Sequence, residues 1–400
     1  MKIRIEHTLS RRSADLSCLG WRSIPPLAGL ALACLWATGA QAQDGARSGQ
    51  SVPAEQTAAA VSDRGWETPR MSWGDPDLEG TFTSRDMSGV PMERAAQYGT
   101  QQSLTNEQFL ERAGGGGGGL GALRGGEAFE GRARLQLSAL DSGETGTRSF
   151  GYTSYLIDPP DGRMPALTAE GRARQAGRGG GGQANGPFYT MEDFSYYDRC
   201  ITRGIVGSIM PSLYGDAMRI VQSPTEVAIS YEMLHDTRII PLDGRPPADD
   251  GVRQYMGSSV GHFEGDTLVV ETTNLTEDVG LGRYLTSEDA VLTERFTRID
   301  PDMINYVVTV DDSRTYERPW TLRMTLTTQP DYEILEYSCH EGNYFVASAL
   351  RAEKRYQESV AEAIANGEPV PERAAAGSGG FSEIYTPPSS DAAFDVNTGE

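Results

Sequence analysis

The chain reads as a mainly β protein whose second half closes into an antiparallel up-and-down barrel. Three observations predict this fold. Nine short runs rich in β-branched and aromatic residues follow one another between Cys200 and His340. Turn residues divide these runs at close spacing, as in a meander. Two runs alternate cleanly: Val227, Ile229, Tyr231 and Met233 against Glu226, Ala228, Ser230 and Glu232, and Trp320, Leu322, Met324 and Leu326 against Thr321, Arg323, Thr325 and Thr327. One face of each is apolar and the other is expected to be wet.

The amino end has the form of an export signal. A basic start, MKIRIEHTLSRRS, precedes the apolar PPLAGLALACLWATGA, and Ala40-Gln41-Ala42 resembles a cleavage site. The apolar stretch is too short for a transmembrane helix, so residues 1–42 are expected to be removed after Ala42, with a periplasmic or secreted destination. Cleavage removes five basic and two acidic residues and takes the net charge from −21 to −24. A chain this acidic repels nucleic acid and anionic lipid, which excludes both as partners. No other stretch is apolar and long enough for membrane insertion. Lys2 and Lys354 are the only lysines and Lys2 leaves with the signal, so Schiff-base chemistry is set aside. Cys18 and Cys34 leave too, and Cys200 and Cys339 remain as the available pair. A disulfide between them suits an oxidising compartment; two unpaired buried thiols are the alternative.

Residues 43–65 are polar and read as a disordered linker. An N-terminal arm is expected over 66–199. Within it, WETPRMSWGDPDLEGTF mixes tryptophan with turn residues, Thr105 and Gln108 form a capping-box start, and DPPDG makes a turn. Glycine tracts at 114–119 and 177–182 read as surface inserts, because they offer no apolar area against their ordering entropy. The barrel is expected over 200–346, with runs from RIVQS through EVAISYEML, TRIIPL, QYMGSSVGHF, DTLVVETTNL, AVLTERFTRI, MINYVVTV and WTLRMTLTTQ to YEILEYSCH. In GHFEGDTLVV, Gly265-Asp266 is a hairpin reversal, so Asp266 is a turn residue and not a base. ALRAEKRYQESVAEAIANG predicts a helix over 347–367 that stops at Gly367, and 368–400 is tail.

Chemistry rests on few side chains. The mature chain has three histidines, His235, His262 and His340, each near a strand end. His235 continues the register of Tyr231 and Met233, and His340 that of Ile334, Glu336 and Ser338, so both are expected to point inward. A three-histidine metal site is the sharper alternative; no pair has the spacing of a zinc motif, so neither metal nor cofactor is expected. General acid–base work by a histidine beside Glu336 or Glu271 remains open. No G-x-S-x-G motif is present to support a hydrolase triad. Arg238, Arg295 and Arg298 form a second set. An arginine inside the barrel beside Glu271 or Glu336 clamps a carboxylate or polarises a carbonyl, whereas outside it makes cross-strand ion pairs.

Seven motifs in order, WGDPDLEGTF, DPPDGRMPALT, EMLHDTRIIPLDGRP, GHFEGDTLVVETTNL, ERFTRID, RPWT and EYSCHEGNY, make residues 66–357 resemble a large, functionally uncharacterised family of exported bacterial proteins. The resemblance implies a secreted, lipocalin-like barrel with an N-terminal segment wrapped on it, and assigns no catalytic residue. This chain departs from the family in its two glycine tracts and in Phe263, where tryptophan is expected.

The reading is therefore a calycin-type barrel that binds a small amphipathic or carbohydrate-like ligand in its cavity. Ligand-contacting candidates are Tyr231, Arg238, His262, Glu271, Arg295 and Trp320, with Glu336 and His340 also lining the cavity. The first alternative is a cofactor-independent lyase or isomerase for a sugar or plant-derived compound, with His235, His340 and Glu336 as acid–base residues. The second is a structural envelope protein.

Overall fold

A computed structural model describes residues 66–87, 90–105, 107–108, 151–177, 187–212, 215–277, 279, 284–329 and 332–373. The expected signal peptide and linker, the glycine tract 114–119, the second tract from 178 onward and the tail after 373 lie outside the described residues.

The alternating runs become strands. They are β1 Gly80–Thr83, β2 Leu156–Asp158, β3 Ala217–Gln222, β4 Glu226–Tyr231, β5 Thr237–Pro241, β6 Ser258–Glu264, β7 Thr267–Thr273, β8 Val291–Asp300, β9 Met303–Asp311 and β10 Trp320–Thr328. Their order across the sheet is β5-β4-β3-β1-β10-β9-β8-β7-β6, with β2 also paired to β10, and every pairing is antiparallel. The end strands β5 and β6 meet, so the sheet is a nearly closed barrel. Because each step along this order reverses direction, β5 and β6 must run the same way. A parallel neighbour cannot be reached by a tight turn, and the crossover 242–257 supplies the long connection. Side chains close the seam: a Cβ added at Gly261 of β6 would lie 2.8 Å from Cγ2 of Ile240 of β5, so that contact needs a glycine.

Eight of the nine expected runs form β3 to β10. The ninth, YEILEYSCH, is not a strand; Tyr332 to Ser338 have no regular structure. The position between β3 and β10 is taken by β1, drawn from the arm, which places Phe82 in the core fully buried. The arm first crosses one end of the barrel. There Gln222 accepts the Leu78 N–H at 2.6 Å and donates to the Pro76 carbonyl at 3.0 Å. It later returns as β2 along β10. The expected wet face of β10 is consequently covered, and Thr321, Arg323, Thr325 and Thr327 are all buried.

Among the described residues the fold also holds α1 Ala169–Gly177, α2 Ile205–Ile209 and α3 Tyr344–Asn366. Every residue of α2 is buried. The start of α3 packs Val346 and Ala349 on Phe194, and the helix ends at Gly367, whose left-handed φ of 69° lets its N–H reach the last carbonyls. The capping box at Thr105 and Gln108 and the turn after Pro159 also form. Among the described residues no helix is long and apolar enough to cross a membrane.

The lumen is full. Phe82, Ile220, Ile229, Leu268, Phe296, Tyr306, Trp320 and Leu326 belong to one continuous buried cluster. Burial of each such side chain contributes roughly 1.5–3 kcal/mol against the entropy of ordering the chain.

Candidate functional site

Strand alternation carries one polar network into this core. Tyr231 of β4, Arg238 of β5, Ser259 of β6, Thr272 of β7, Glu294 of β8 and Tyr306 of β9 occupy inward positions. Arg238 donates to Glu294 through Nη1 to Oε1 at 3.0 Å and Nη2 to Oε2 at 2.6 Å, a bidentate pair with side chains 2% and 0% exposed. It also donates to Tyr231 Oη at 3.1 Å, Ser259 Oγ at 3.0 Å and Thr272 Oγ1 at 3.2 Å, and Tyr306 Oη donates to Glu294 at 3.0 Å. The bond to Ser259 crosses the β5/β6 seam. Burial opposes the charge on Arg238, but the Glu294 carboxylate and then Tyr231 outweigh it and hold the guanidinium pKa above its usual value. Burial, with Glu294 adding to it, pushes the Tyr231 phenol up to about 12 and Tyr306 well above its ordinary value. The expected carboxylate clamp exists, but the protein's own Glu294 fills it.

Three other candidates lie on the outer wall. Within β6, β7 and β8 the inward positions belong to Gly261, Val270 and Glu294, so their chain neighbours His262, Glu271 and Arg295 face out. There Glu264 accepts from Arg295 Nη2 at 2.7 Å and lies 3.2 Å from His262 Nε2; these bonds, Arg295 first, hold its carboxyl below the usual range. Trp320 does face inward, edge-on to Tyr316 at 5.7 Å between ring centres, as core.

The remaining candidates meet the rim. After Tyr231 the chain makes a tight turn, Met233–His235, in which Leu234 (φ 65°) and His235 (φ 48°) are left-handed. That conformation is costly for residues other than glycine and persists only where surrounding structure imposes it. Glu232, nearly fully buried, accepts from Tyr332 Oη at 2.6 Å and from the Leu335 N–H at 3.0 Å. His235 Nε2 donates to the Tyr337 carbonyl at 2.6 Å. The Cys200–Cys339 disulfide then pins the segment, and Asn343 Nδ2 donates to the Asp198 carbonyl at 2.8 Å. These ties draw 332–343 away from the sheet, which is why its alternation does not make a strand. Close by, burial raises the pKa of Asp236 while the Thr202 hydroxyl, 2.6 Å away, opposes the rise.

Between the turn and the pinned segment lies an open cleft of about 390 Å³, lined by Arg219, Ser230, Tyr231, Glu232, His235, Ile334, Leu335 and Glu336. His235 and Glu336 thus share one cleft. His340, exposed and outside its lining, does not join them, because the strand that would have turned it inward is absent. Among the described residues no three His, Cys, Asp or Glu side chains gather as a metal site.

Sequence reasoning missed Glu294, Glu232 and Arg219. Glu294 was legible: Leu292-x-Glu294-x-Phe296 puts an acid on an apolar face, which calls for an internal cation. The roles of Glu232 and Arg219 depend on the long-range placement of 332–337, and no local signal marks them. Comparison of the chain with protein-family models, curated proteins and solved structures finds no match.

Proposed function

We propose that this is an exported β-barrel protein that binds a small amphipathic molecule at the rim cleft rather than in the lumen. The observation that carries the reading is the cleft itself. Ile334 and Leu335 offer an apolar wall, while Arg219, His235, Glu336 and Ser230 offer polar groups to orient a ligand. The left-handed His235 and Leu234 support it, since strain of this kind gathers at binding sites. The disulfide supports an oxidising destination, in keeping with the export signal. A filled lumen speaks against an internal ligand.

A second reading draws on the same cleft. His235 donates through Nε2 to a carbonyl, which leaves Nδ1 of the neutral ring as an acceptor, and Glu336 lines the same space. That is the minimum for a lyase or isomerase acting by proton transfer. Native mass spectrometry of protein isolated from its own compartment tests the binding reading. A co-purifying small molecule that is lost in Arg219→Ala and His235→Ala variants is expected. A molecule retained by both folded variants, or no molecule at all, would count against it.

A further inference from the structure

Arg323 presents a different problem from any arginine in the lumen. It lies on the outer face of β10 beneath the arm and is only 8% exposed. Its guanidinium stacks on the Tyr152 ring, 4.1 Å from the ring centre, and Nη1 makes a marginal contact with Gln102 Oε1 at 3.5 Å. Nε and Nη2 are buried and have no partner. Among the described residues no carboxylate pairs with it. The nearest comparable group adds to the excess of charge: Arg94, 1% exposed, gives its donors to Thr153 Oγ1 and to the carbonyls of Gly99, Pro160 and Leu156, and repels Arg323. A guanidinium does not shed its proton; Asp161 attracts Arg94, but among the described residues no ion pair offsets the charge of Arg323.

The unpartnered atoms define the missing group. Nε–H and Nη2–H lie on one edge of the guanidinium and point the same way, the side-on fork that takes both oxygens of a carboxylate. Tyr152 covers the face, which leaves the edge for a planar acceptor. We propose that Arg323, through its Nε–Nη2 edge, binds the carboxylate of a small ligand on the outer face of β10, at a site separate from the rim cleft. Gln102, in contact with Nη1, stands outside that edge and need not move.

Thermal melting of the full chain in sodium benzoate, with sodium chloride and sodium sulfate at matched ionic strength, tests this. Benzoate is expected to raise the melting temperature saturably, and the other two salts are not. Arg323→Lys keeps the charge and loses the fork, so apparent benzoate affinity should fall about tenfold or more. Arg323→Met should melt no lower than the parent without benzoate, because it removes an uncompensated cation, and should not respond to it. Arg219→Ala should respond like the parent. Absence of a benzoate effect, an effect that survives both Arg323 variants, or an equal effect of sulfate would overturn the proposal. So would an effect abolished by Arg219→Ala, which would assign the carboxylate to the cleft.

Discussion

Inside the barrel, Arg238 meets a bidentate carboxylate, a phenol and two hydroxyls, and neither it nor Glu294 reaches solvent. At the rim, His235 has one ring nitrogen engaged and the other unshared, and Glu336 stands in an open cleft. The same residue types serve both places. The difference lies in access: in the lumen network only Nε of Arg238 lacks a partner, and that atom is sealed in the packed core, whereas the rim groups stand in an open cleft. On the proposed function, the lumen serves as architecture and the rim cleft takes the ligand.

The largest expected effect breaks the lumen network. Glu294→Gln or Arg238→Met leaves one charge buried without its counter-ion and should cost about 3–5 kcal/mol in denaturant unfolding. A loss below about 1 kcal/mol would mean that water reaches the pair and that the lumen is not dry. Removing Phe82 should rank close behind, at roughly 3–5 kcal/mol for Phe82→Ala, because this arm residue fills the barrel at the position expected of a later strand. Reduction of Cys200–Cys339 sharpens the contrast from the rim side. It frees a separation of 139 residues and should cost roughly 2–5 kcal/mol, while abolishing ligand retention by releasing one wall of the cleft.

Alkaline titration separates the regions further. Tyr231 keeps its proton in the folded state up to about pH 12, against 10.0 for a free phenol. Its folded pKa is raised, so its contribution is fully present below pH 10 and is lost as pH rises through 12. Ultraviolet titration should show Tyr231 and Tyr306 ionising last, with stability falling over that window. Ionisation of all tyrosines together near pH 10 in still-folded protein would refute the buried network. The smallest effect on stability belongs to His235→Ala. It removes one hydrogen bond at an exposed position and should change stability by about 1 kcal/mol or less, while ligand retention is lost.

Much of this was written locally. The alternation in β4 and β10, the Gly265-Asp266 reversal and the Gly367 stop each depend on neighbours in sequence, and each is found where the sequence places it. The pairing of Cys200 with Cys339 followed from there being no other pair. The failures share a cause as well. YEILEYSCH alternates as a strand does, yet Glu232, His235 and Cys200 hold it at the rim, and these ties span 100 residues or more. GTFT is too short to declare itself, and it becomes a barrel strand because β3 and β10 leave an edge between them. For the site, the register places Tyr231 inward, the sequence leaves Arg238 open between lumen and outer wall, and its carboxylate partner is Glu294 in the apolar register of β8 rather than Glu271 or Glu336.

The most direct test compares the double replacement Arg238→Met/Glu294→Leu with the Arg219→Ala/His235→Ala pair, scoring unfolding free energy and ligand retention in each. The lumen double should recover most of the loss seen in its single variants and keep the bound molecule, while the rim double folds normally and loses it. A lumen double that folds normally and comes out empty, beside a rim double that stays loaded, would show that the ligand site lies within the barrel.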